Sequence, residues 1–422
     1  MSWRRSPTAL LAALTGLNLI NYVDRNMTGA VLPLVVKDFN LAGHGFRSGL
    51  LGSLFMIVYS CVSPVAGWLA DHRARVRLAA IGVLVWSVAT VSSGLAPAFV
   101  VLLIARALSG VGEATYSVVT PSLLSDSYPP EKRGGALSIF FAALPVGTAL
   151  AYGLGGVIGP RYGWRYAYLL VFFPAVALGI ILFLLEEPKR GIHDGAAPTE
   201  PLSLIPSLKA LAARRSYLYN TAAQAIFTFT LGGMAVWVPT FLLQERGIPL
   251  EIANTRFGIL LVFTGIVGSV SGGHVGDALA RRFRGAHFAF SGASTIIAVP
   301  FIVTAIRSHN EWVLWPCTGI GLFLLFLITG PLQASMMNVL PPNLRGRGVA
   351  VYTVSIHLFG DALSPPLIGL AKDYVGLEWP MVIAILLLSV SGTLLLVGRE
   401  ALIRDLIAAQ EESGAIPLGR PA

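Results

Sequence analysis

Long apolar runs recur along the whole chain, separated by short segments rich in Gly, Pro and Arg, and they limit the possible folds more than any other feature. The chain has 422 residues, of which 55% are hydrophobic and 12% charged, and its mean hydropathy is +0.72. A soluble domain is about 25% charged, and a helix that crosses a bilayer needs about 20 mainly apolar residues. We therefore expect an all-α, multi-pass integral membrane protein with about a dozen transmembrane helices.

The apolar runs predict twelve spans in two groups of six. The first group is 9–36, 47–70, 77–96, 98–126, 134–159 and 165–186. The second group is 216–244, 253–280, 286–306, 312–339, 347–371 and 379–399. The longest polar connection lies between the groups and carries Leu204, Leu208 and Leu211 at helical spacing, which predicts a short interfacial helix. The predicted organisation is a six-helix bundle (1–186), a cytoplasmic linker (187–215), a second six-helix bundle (216–402) and a cytoplasmic tail (403–422).

The distribution of Lys and Arg predicts the orientation in the membrane. Of the 30 basic residues, 20 lie at the termini and in the connections after even-numbered spans, and 8 lie after odd-numbered spans. Cytoplasmic loops carry the excess of Lys and Arg, so both termini are expected in the cytoplasm and the protein in the plasma (inner) membrane. Because the basic residues are spread between apolar segments, the net charge of +9 does not indicate a nucleic-acid site. Cys61 and Cys317 lie in apolar runs and predict neither a disulfide framework nor a metal cluster.

An internal repeat relates the two groups of spans. GWLAD at 67–71, followed by arginines, is matched by GHVGD at 273–277, also followed by arginines. PPEKRG at 129–134 is matched by PPNLRG at 341–346. The two matched pairs are offset by nearly half the chain, which predicts two six-helix parallel repeats related by an axis along the membrane normal. Such a fold binds its substrate at the midplane between the halves and alternates access by rocking.

Four formal charges interrupt the first and fourth spans. Asp24 and Arg25 lie in the first span, and Arg106 and Glu113 lie seven residues apart on one face of the fourth. A charged side chain at the bilayer centre costs about 2.5–3.5 kcal/mol on insertion scales, so such groups usually face a cavity or pair with one another. We expect a neutral cluster of these four groups, in which Arg106 is a candidate partner for Glu113.

Four ordered motifs resemble the Spinster family of the major facilitator superfamily. They are NYVDRNMTGAVLP (21–33), RALSGVGEATYSVVTPSLLSD (106–126), LSIFFAALPVG (137–147) and IHLFGDALSPPLIG (356–369). They lie in both halves, so the resemblance covers nearly the whole transmembrane region. It implies the major facilitator fold and a proton-linked exporter of lysolipids or sphingoid phosphates. The sequence departs from the superfamily loop D-x-x-G-R, because Asp71 is followed by His72, Arg73, Ala74 and Arg75, so that Ala74 stands at the glycine position.

The in-span polar residues give the candidate site. Asp24 and Glu113 are predicted to carry the coupling proton, since burial disfavours an ionised carboxylate and a nearby arginine favours it. Arg25 is predicted to hold the anionic head group of the substrate through paired hydrogen bonds. The further candidates for substrate binding are Asn18, Asn21, Tyr22, Arg106, Tyr116 and Thr120. The alternative interpretation is a permanent ion-pair network that joins the first and fourth spans.

Two further groups have candidate roles. His357 and Asp361 lie one helical turn apart in the eleventh span and are either a proton relay or a structural hydrogen-bonded pair. A conformational latch at the cytoplasmic ends is predicted from the repeated loops, where aspartates would pair with arginines or meet a helix N-terminus. Its candidate residues are Asp71, Arg75, Asp277, Arg281, Arg133 and Arg345.

Two other functions compete with lipid transport. The first is proton-coupled transport of a small water-soluble organic anion, since organic-anion symporters of the same superfamily also resemble the motifs of the first and fourth spans. The second is a membrane-embedded lipid-modifying enzyme, which the sequence disfavours because neither H-E-x-x-H nor G-x-S-x-G occurs in a suitable context. We expect a monomer in the bilayer that needs no cofactor other than the proton.

Overall fold

The computed structural model describes residues 3–190 and 204–412, and within these ranges the chain is helical and contains no strand. The first six helices correspond to the first six predicted spans. They are α1 (Pro7–Asp38), α2 (Gly45–His72), α3 (Arg75–Gly94), α4 (Phe99–Ser127), α5 (Pro130–Tyr162) and α6 (Trp164–Leu184). Ser6 caps α1 by accepting a hydrogen bond from the backbone of Ala9, and Pro7 occupies the first helical position that proline favours.

The second half contains six further spans and two shorter helices. The spans are α8 (Arg215–Gln244), α9 (Leu250–Ala280), α10 (Ala286–Arg307), α11 with α12 (Glu311–Phe326 and Thr329–Val339), α13 with α14 (Pro342–Ile356 and Ser364–Val375) and α15 (Glu378–Val397). The shorter helices are α7 (Leu204–Ala213) and α16 (Arg399–Glu412). The tenth and eleventh predicted spans are therefore each interrupted, the eleventh by a π-helical turn at His357–Asp361.

Eleven of the twelve spans are long and apolar enough to cross a membrane. The exception is α1, which has 32 residues but also carries Asn18, Asn21, Asp24 and Arg25. Asn18, Asn21 and Asp24 are nevertheless buried. The one span that does not meet this requirement thus buries three of its polar side chains within the protein.

Contacts divide the chain into two compact units. The first consists of 1–197, 234–262 and 362–377, and the second of 198–233, 263–361 and 378–422. This grouping differs from the predicted division at 187–215 because the far ends of α8 and α14 and the start of α9 pack with the first six helices. The predicted cytoplasmic tail lies partly in α16, and residues 413–422 lie outside the described ranges.

In the first unit, the helix ends on the side of the membrane away from the termini are joined by polar contacts. Asp373 of α14 accepts a hydrogen bond of 2.7 Å from the backbone N–H of Gly45, the first residue of α2. The buried Asn254 of α9 donates to the carbonyl oxygen of Ala30 in α1 at 2.9 Å. These contacts close this side of the first unit, because they tie α9 and α14 to α1 and α2.

In the second unit, α7 packs against α13. Arg347 of α13 donates a hydrogen bond of 2.6 Å to the Ser207 hydroxyl, and Leu211 is buried on the same side of α7. Ile205 and Leu208 remain exposed. The short helix predicted in the linker is therefore present, with an apolar outer face typical of a helix that lies at a membrane interface.

The contact of Asp373 with α2 predicts a measurable change in accessibility. Asp373→Ala removes a carboxylate from a helix N-terminus, where a capping side chain contributes about 0.5–2 kcal/mol. We expect faster maleimide labelling of a single cysteine placed at the buried Ser48 of α2, in a background that lacks Cys61 and Cys317. Glu400→Ala on the exposed face of α16 is the control. Equal labelling rates in the two variants would show that Asp373 does not hold this side closed.

Candidate transport site

The side chains of Asp24 and Arg106 form a fully buried ion pair between α1 and α4. Arg106 Nη1 lies 2.8 Å from Asp24 Oδ2, and the exposed fractions of the two side chains are 1% and 0%. Trp86 of α3 donates a second hydrogen bond to the same oxygen at 3.0 Å. Two donors therefore contact one carboxylate oxygen of Asp24, and the three residues connect α1, α3 and α4.

A second, looser ion pair joins Arg25 of α1 and Glu113 of α4. Arg25 Nε lies 3.6 Å from Glu113 Oε2, and the Glu113 side chain is fully buried while 19% of Arg25 is exposed. Neither oxygen of the Glu113 carboxylate accepts a hydrogen bond of ordinary length from the described residues. The buried side-chain amide of Asn21 is a neutral donor beside this carboxylate. The Glu113 carboxylate therefore has looser polar contacts than the carboxylate of Asp24.

Aromatic rings of α2 surround the two arginines. The guanidinium carbon of Arg25 lies 5.1 Å from the ring centre of Phe55, 5.1 Å from that of Tyr59 and 5.6 Å from that of Tyr22 in α1. The corresponding atom of Arg106 lies 5.5 Å from the same Phe55 ring. Cations within about 6 Å of a ring centre are attracted to its face. Both arginines are thus held by aromatic as well as by acidic neighbours.

Two glycines of the GVGEA stretch bring α2 and α3 close to α4. A Cβ atom at Gly110 would lie 2.6 Å from the Phe55 carbonyl oxygen, and one at Gly112 would lie 2.6 Å from the Trp86 Cβ. Any larger residue would force these helices apart. The glycines therefore place the ring of Phe55 and the indole of Trp86 next to the charges of α1 and α4.

The predicted pairing of Arg106 with Glu113 is wrong, because Arg106 pairs with Asp24. Seven residues of α-helix correspond to a rise of about 10.5 Å, so the two groups share a face of α4 but stand two turns apart. The adjacent residues Asp24 and Arg25 reach different levels of α4, and each meets the opposite charge there. The predicted neutral four-charge cluster is present as two separate pairs.

The other residues predicted to bind substrate are mostly engaged within the first unit. Asn18 donates to the Phe140 carbonyl oxygen of α5 at 2.9 Å, and Tyr116 donates to the Leu14 carbonyl oxygen of α1 at 2.6 Å. Thr120 donates to the backbone of its own helix at 2.8 Å. These contacts favour a structural role for the three side chains, whereas Asn21 and Tyr22 lie beside Glu113 and Arg25. Their part in binding stays a prediction.

In the second unit, His357 and Asp361 contact each other in the π-helical turn. His357 Nδ1 lies 3.1 and 3.0 Å from the two carboxylate oxygens of Asp361. The Thr228 hydroxyl of α8 donates to the Ile356 carbonyl oxygen at 2.8 Å, which satisfies an acceptor at the start of this turn. The pair predicted from the spacing is therefore formed. A relay and a structural pair share this geometry, so its role as a proton relay stays a prediction.

The residues predicted as a latch have partners that the loop pattern did not indicate. Arg75 lies 2.6 Å from Asp126 of α4 and 3.0 Å from Glu187, which follows α6. Glu187 also accepts a hydrogen bond of 2.8 Å from the backbone of Val76, near the N-terminus of α3. Neither Asp71 nor Asp277 forms an ion pair with an arginine among residues 3–190 and 204–412. The expectation that these two aspartates pair with arginines is therefore wrong for this conformation.

The remaining latch candidates contact backbone atoms or a histidine. Asp277 lies 3.7 Å from His287 of α10, and its carbonyl oxygen accepts from the backbone N–H of Arg281. Arg345 donates to the Leu340 carbonyl oxygen at 3.2 Å, and Arg133 is partly buried near the start of α5. Arg190 instead donates to the carbonyl oxygen of Asp71 at 2.9 Å. A latching function of this group stays a prediction.

Comparison with known proteins identifies the family. The Major Facilitator Superfamily profile matches residues 14–360. The protein spinster homolog 1 of Mus musculus is 32% identical over 398 residues, which cover 89% of this chain and 75% of the mouse protein. The chain belongs to the Spinster family of the major facilitator superfamily. The resemblance predicted from the four motifs is therefore confirmed.

Other Spinster relatives carry names that mention a substrate. The probable sphingolipid transporter spinster homolog 2 of Arabidopsis thaliana is 30% identical over 88% of this chain and 82% of its own length. The sphingosine-1-phosphate transporter SPNS2 of Danio rerio is 29% identical over 87% of this chain and 77% of its own length. Family membership makes this chain a transporter rather than an enzyme and an integral, multi-pass membrane protein.

A solved structure confirms the predicted fold. A bacterial homolog of the human lysosomal transporter Spinster, in an inward-facing and unoccupied conformation, matches with a TM-score of 0.84 at 22% identity, over 96% of this chain and 99% of that chain. The same kind of protein in an occupied conformation matches with a TM-score of 0.81 at 20% identity, over 94% and 98%. The Spinster-family chain therefore has the predicted major facilitator fold.

The hydrogen bond from Trp86 to Asp24 predicts a stability difference. Trp86→Phe removes a donor to a buried charged group, and such a bond contributes about 1.5–3 kcal/mol. We expect a lower thermal unfolding temperature in detergent than for Trp312→Phe, whose side chain is 88% exposed. The effect of Trp86→Phe should shrink in an Asp24→Asn background, because coupled residues are not additive. If Trp86→Phe lowered the unfolding temperature equally in both backgrounds, the loss of stability would come from the cavity left by the indole and not from the hydrogen bond.

Proposed function

We propose that this Spinster-family chain is a proton-coupled transporter of an amphipathic anionic lipid, of the lysophospholipid or sphingoid-phosphate class, which works by alternating access. The observation that carries the proposal is the inequality of the two ion pairs. Asp24 receives two hydrogen bonds at 2.8 and 3.0 Å, whereas Glu113 faces Arg25 at 3.6 Å without an ordinary hydrogen bond from the described residues. Glu113 is therefore the group that exchanges the proton in this proposal, whereas Asp24 stays paired with Arg106.

The coupling step follows from this assignment. When Glu113 takes a proton, the guanidinium of Arg25 loses its carboxylate partner but keeps its aromatic neighbours Phe55 and Tyr59. A guanidinium held in this way can offer paired hydrogen bonds to a phosphate or carboxylate. The anion then replaces the carboxylate as the counter-charge of Arg25. Loss of the proton restores the ion pair with Glu113 and expels the anion.

The lipid class is supported by the names of the relatives and by the site. Two relatives are named as transporters of sphingolipid or of sphingosine-1-phosphate, and both substrates combine an apolar chain with a polar head. Arg25 has the charge to hold an anionic head group, and 19% of its side chain is exposed. The distribution of Lys and Arg supports a location of both termini in the cytoplasm, and we place the protein in the plasma (inner) membrane. A small water-soluble organic anion is the alternative substrate that the experiment must exclude.

The proton assignment is tested by comparing Glu113→Gln with Asp24→Asn in proteoliposomes under an imposed pH gradient. We expect Glu113→Gln to abolish the dependence of transport on the gradient while leaving the protein folded, because the amide is nearly isosteric and carries no proton to exchange. Asp24→Asn should lower thermal stability, since it leaves Arg106 buried without its counter-charge, a change that costs about 3–5 kcal/mol. Glu400→Gln is the exposed control. Gradient-dependent transport in Glu113→Gln would contradict the assignment.

The role of Arg25 is tested with two probes, sphingosine-1-phosphate and lactate. We expect the wild type to bind the lipid and not lactate, and Arg25→Ala to weaken lipid binding by about tenfold or more, since a bond to a charged group contributes about 1.5–3 kcal/mol. Arg25→Lys should bind less well than wild type because an ammonium lacks the planar fork. Unchanged affinity in Arg25→Ala would remove this residue from the site. Binding of lactate with the same dependence on Arg25 would favour the organic-anion alternative.

A further inference from the structure

The Phe55 ring is the one aromatic group, among the cation–π contacts of the described residues, that is shared by the two in-span arginines of α1 and α4. Its centre lies 5.1 Å from the guanidinium carbon of Arg25 and 5.5 Å from that of Arg106. The ring is only 3% exposed. Phe55 itself carries no charge and takes no part in the proton exchange proposed above.

The surroundings of Phe55 hold its ring in place. Gly110 of α4 allows the α2 backbone at Phe55 to approach within a distance that no side chain would tolerate. One turn further along α2, the Tyr59 hydroxyl lies 2.8 Å from the Ser117 hydroxyl of α4. Because α2 is held against α4 on both sides of Glu113 in this way, the backbone of Phe55 cannot move away from α4 without a movement of the helix.

The ring is needed because the charges have alternative partners. Asp24 and Arg25 are adjacent on α1, and Arg106 and Glu113 lie on one face of α4. A long arginine side chain that lost its lateral contacts could leave its own carboxylate. An attraction to a ring face is worth enough to choose between such positions when the group is desolvated.

We propose that Phe55 is a positioning residue that keeps Arg25 on Glu113 and Arg106 on Asp24, and thereby sets the pH range in which the transporter exchanges its proton. This inference rests on the assignment of Glu113 as the proton-exchanging group. The ionisable groups around Glu113 are Asp24, Arg25 and Tyr22 from α1 and Arg106 from α4, with Tyr59 contributed by α2. Phe55 acts on this set through the two cations that its ring contacts.

The test uses the infrared C=O stretching band of a protonated carboxyl group in purified full-length protein, titrated against pH without substrate. The band that disappears in Glu113→Gln is assigned to Glu113. In Phe55→Leu and Phe55→Met, which keep an apolar side chain but lose the ring, we expect its titration midpoint to move to higher pH by about one unit, a tenfold change in proton affinity. The reason is that Arg25 no longer stays beside the carboxylate. Phe55→Tyr keeps the ring and should keep the midpoint.

Phe173→Leu is the matched control, since this phenylalanine of α6 is 69% exposed. An unchanged midpoint in both Phe55→Leu and Phe55→Met, with the Glu113 band present, would overturn the positioning role and leave the proton assignment standing. The same shift in Phe173→Leu would also overturn it. If no band disappears in Glu113→Gln, the proton assignment itself fails. A shift in the two Phe55 variants alone supports the proposal.

Discussion

The interaction on which the first six helices depend is the buried pair of Asp24 and Arg106. Neither charge could be placed in this part of the membrane alone, because the cost of desolvating an ion exceeds what packing supplies. Once paired at 2.8 Å and joined by the indole of Trp86, the two charges specify which faces of α1, α3 and α4 turn toward one another. The second pair joins Arg25, the next residue of α1, to Glu113 of α4. Glu113 lies two helical turns from Arg106, so the adjacent residues Asp24 and Arg25 pair with opposite charges at two levels of α4. A rigid pair and a loose pair thus arise from one helix contact, and the loose one is available for chemistry.

The spans were predictable from the sequence because a bilayer imposes the same requirement on every helix, namely a long apolar run without free backbone groups. The family was predictable because its motifs are contiguous. The partner of each charge was not, since it depends on how α4 is rotated against α1, and that rotation is set by the closeness of other backbones at Gly110 and Gly112. Phe55 and Trp86 were missed for the same reason. In the sequence they are two of many aromatic and apolar residues. Only the tertiary packing brings them into contact with charged side chains.

The latch residues illustrate a second limit. The repeated loops predicted pairing between aspartates and arginines at the helix ends, yet the partners of Arg75 are Asp126, at the end of α4, and Glu187, in the connection after α6. No local spacing relates these three residues. Likewise, the eleventh predicted span was continuous, but a π-helical turn interrupts it, and Thr228 of another helix donates a hydrogen bond to Ile356 directly before this turn. The positions at which helices end or are interrupted depend on tertiary contacts, which are not visible in the sequence.

The internal repeat relates the helices of the two halves but not their in-span charges. The first helix of the second repeat, α8, corresponds to α1, yet between Arg215 and Glu245 it carries no charge and offers Asn220, Gln224, Thr228 and Thr230 instead. The tenth span, which corresponds to α4, carries Thr318, Thr329 and Gln333 among its polar residues and no carboxylate after Glu311. Two bundles built on one plan can share the mechanics of rocking. The paired in-span charges of the first half, however, lie where α1 meets α4, and residues 216–244 and 312–339 of the second half carry no charged residue that corresponds to them.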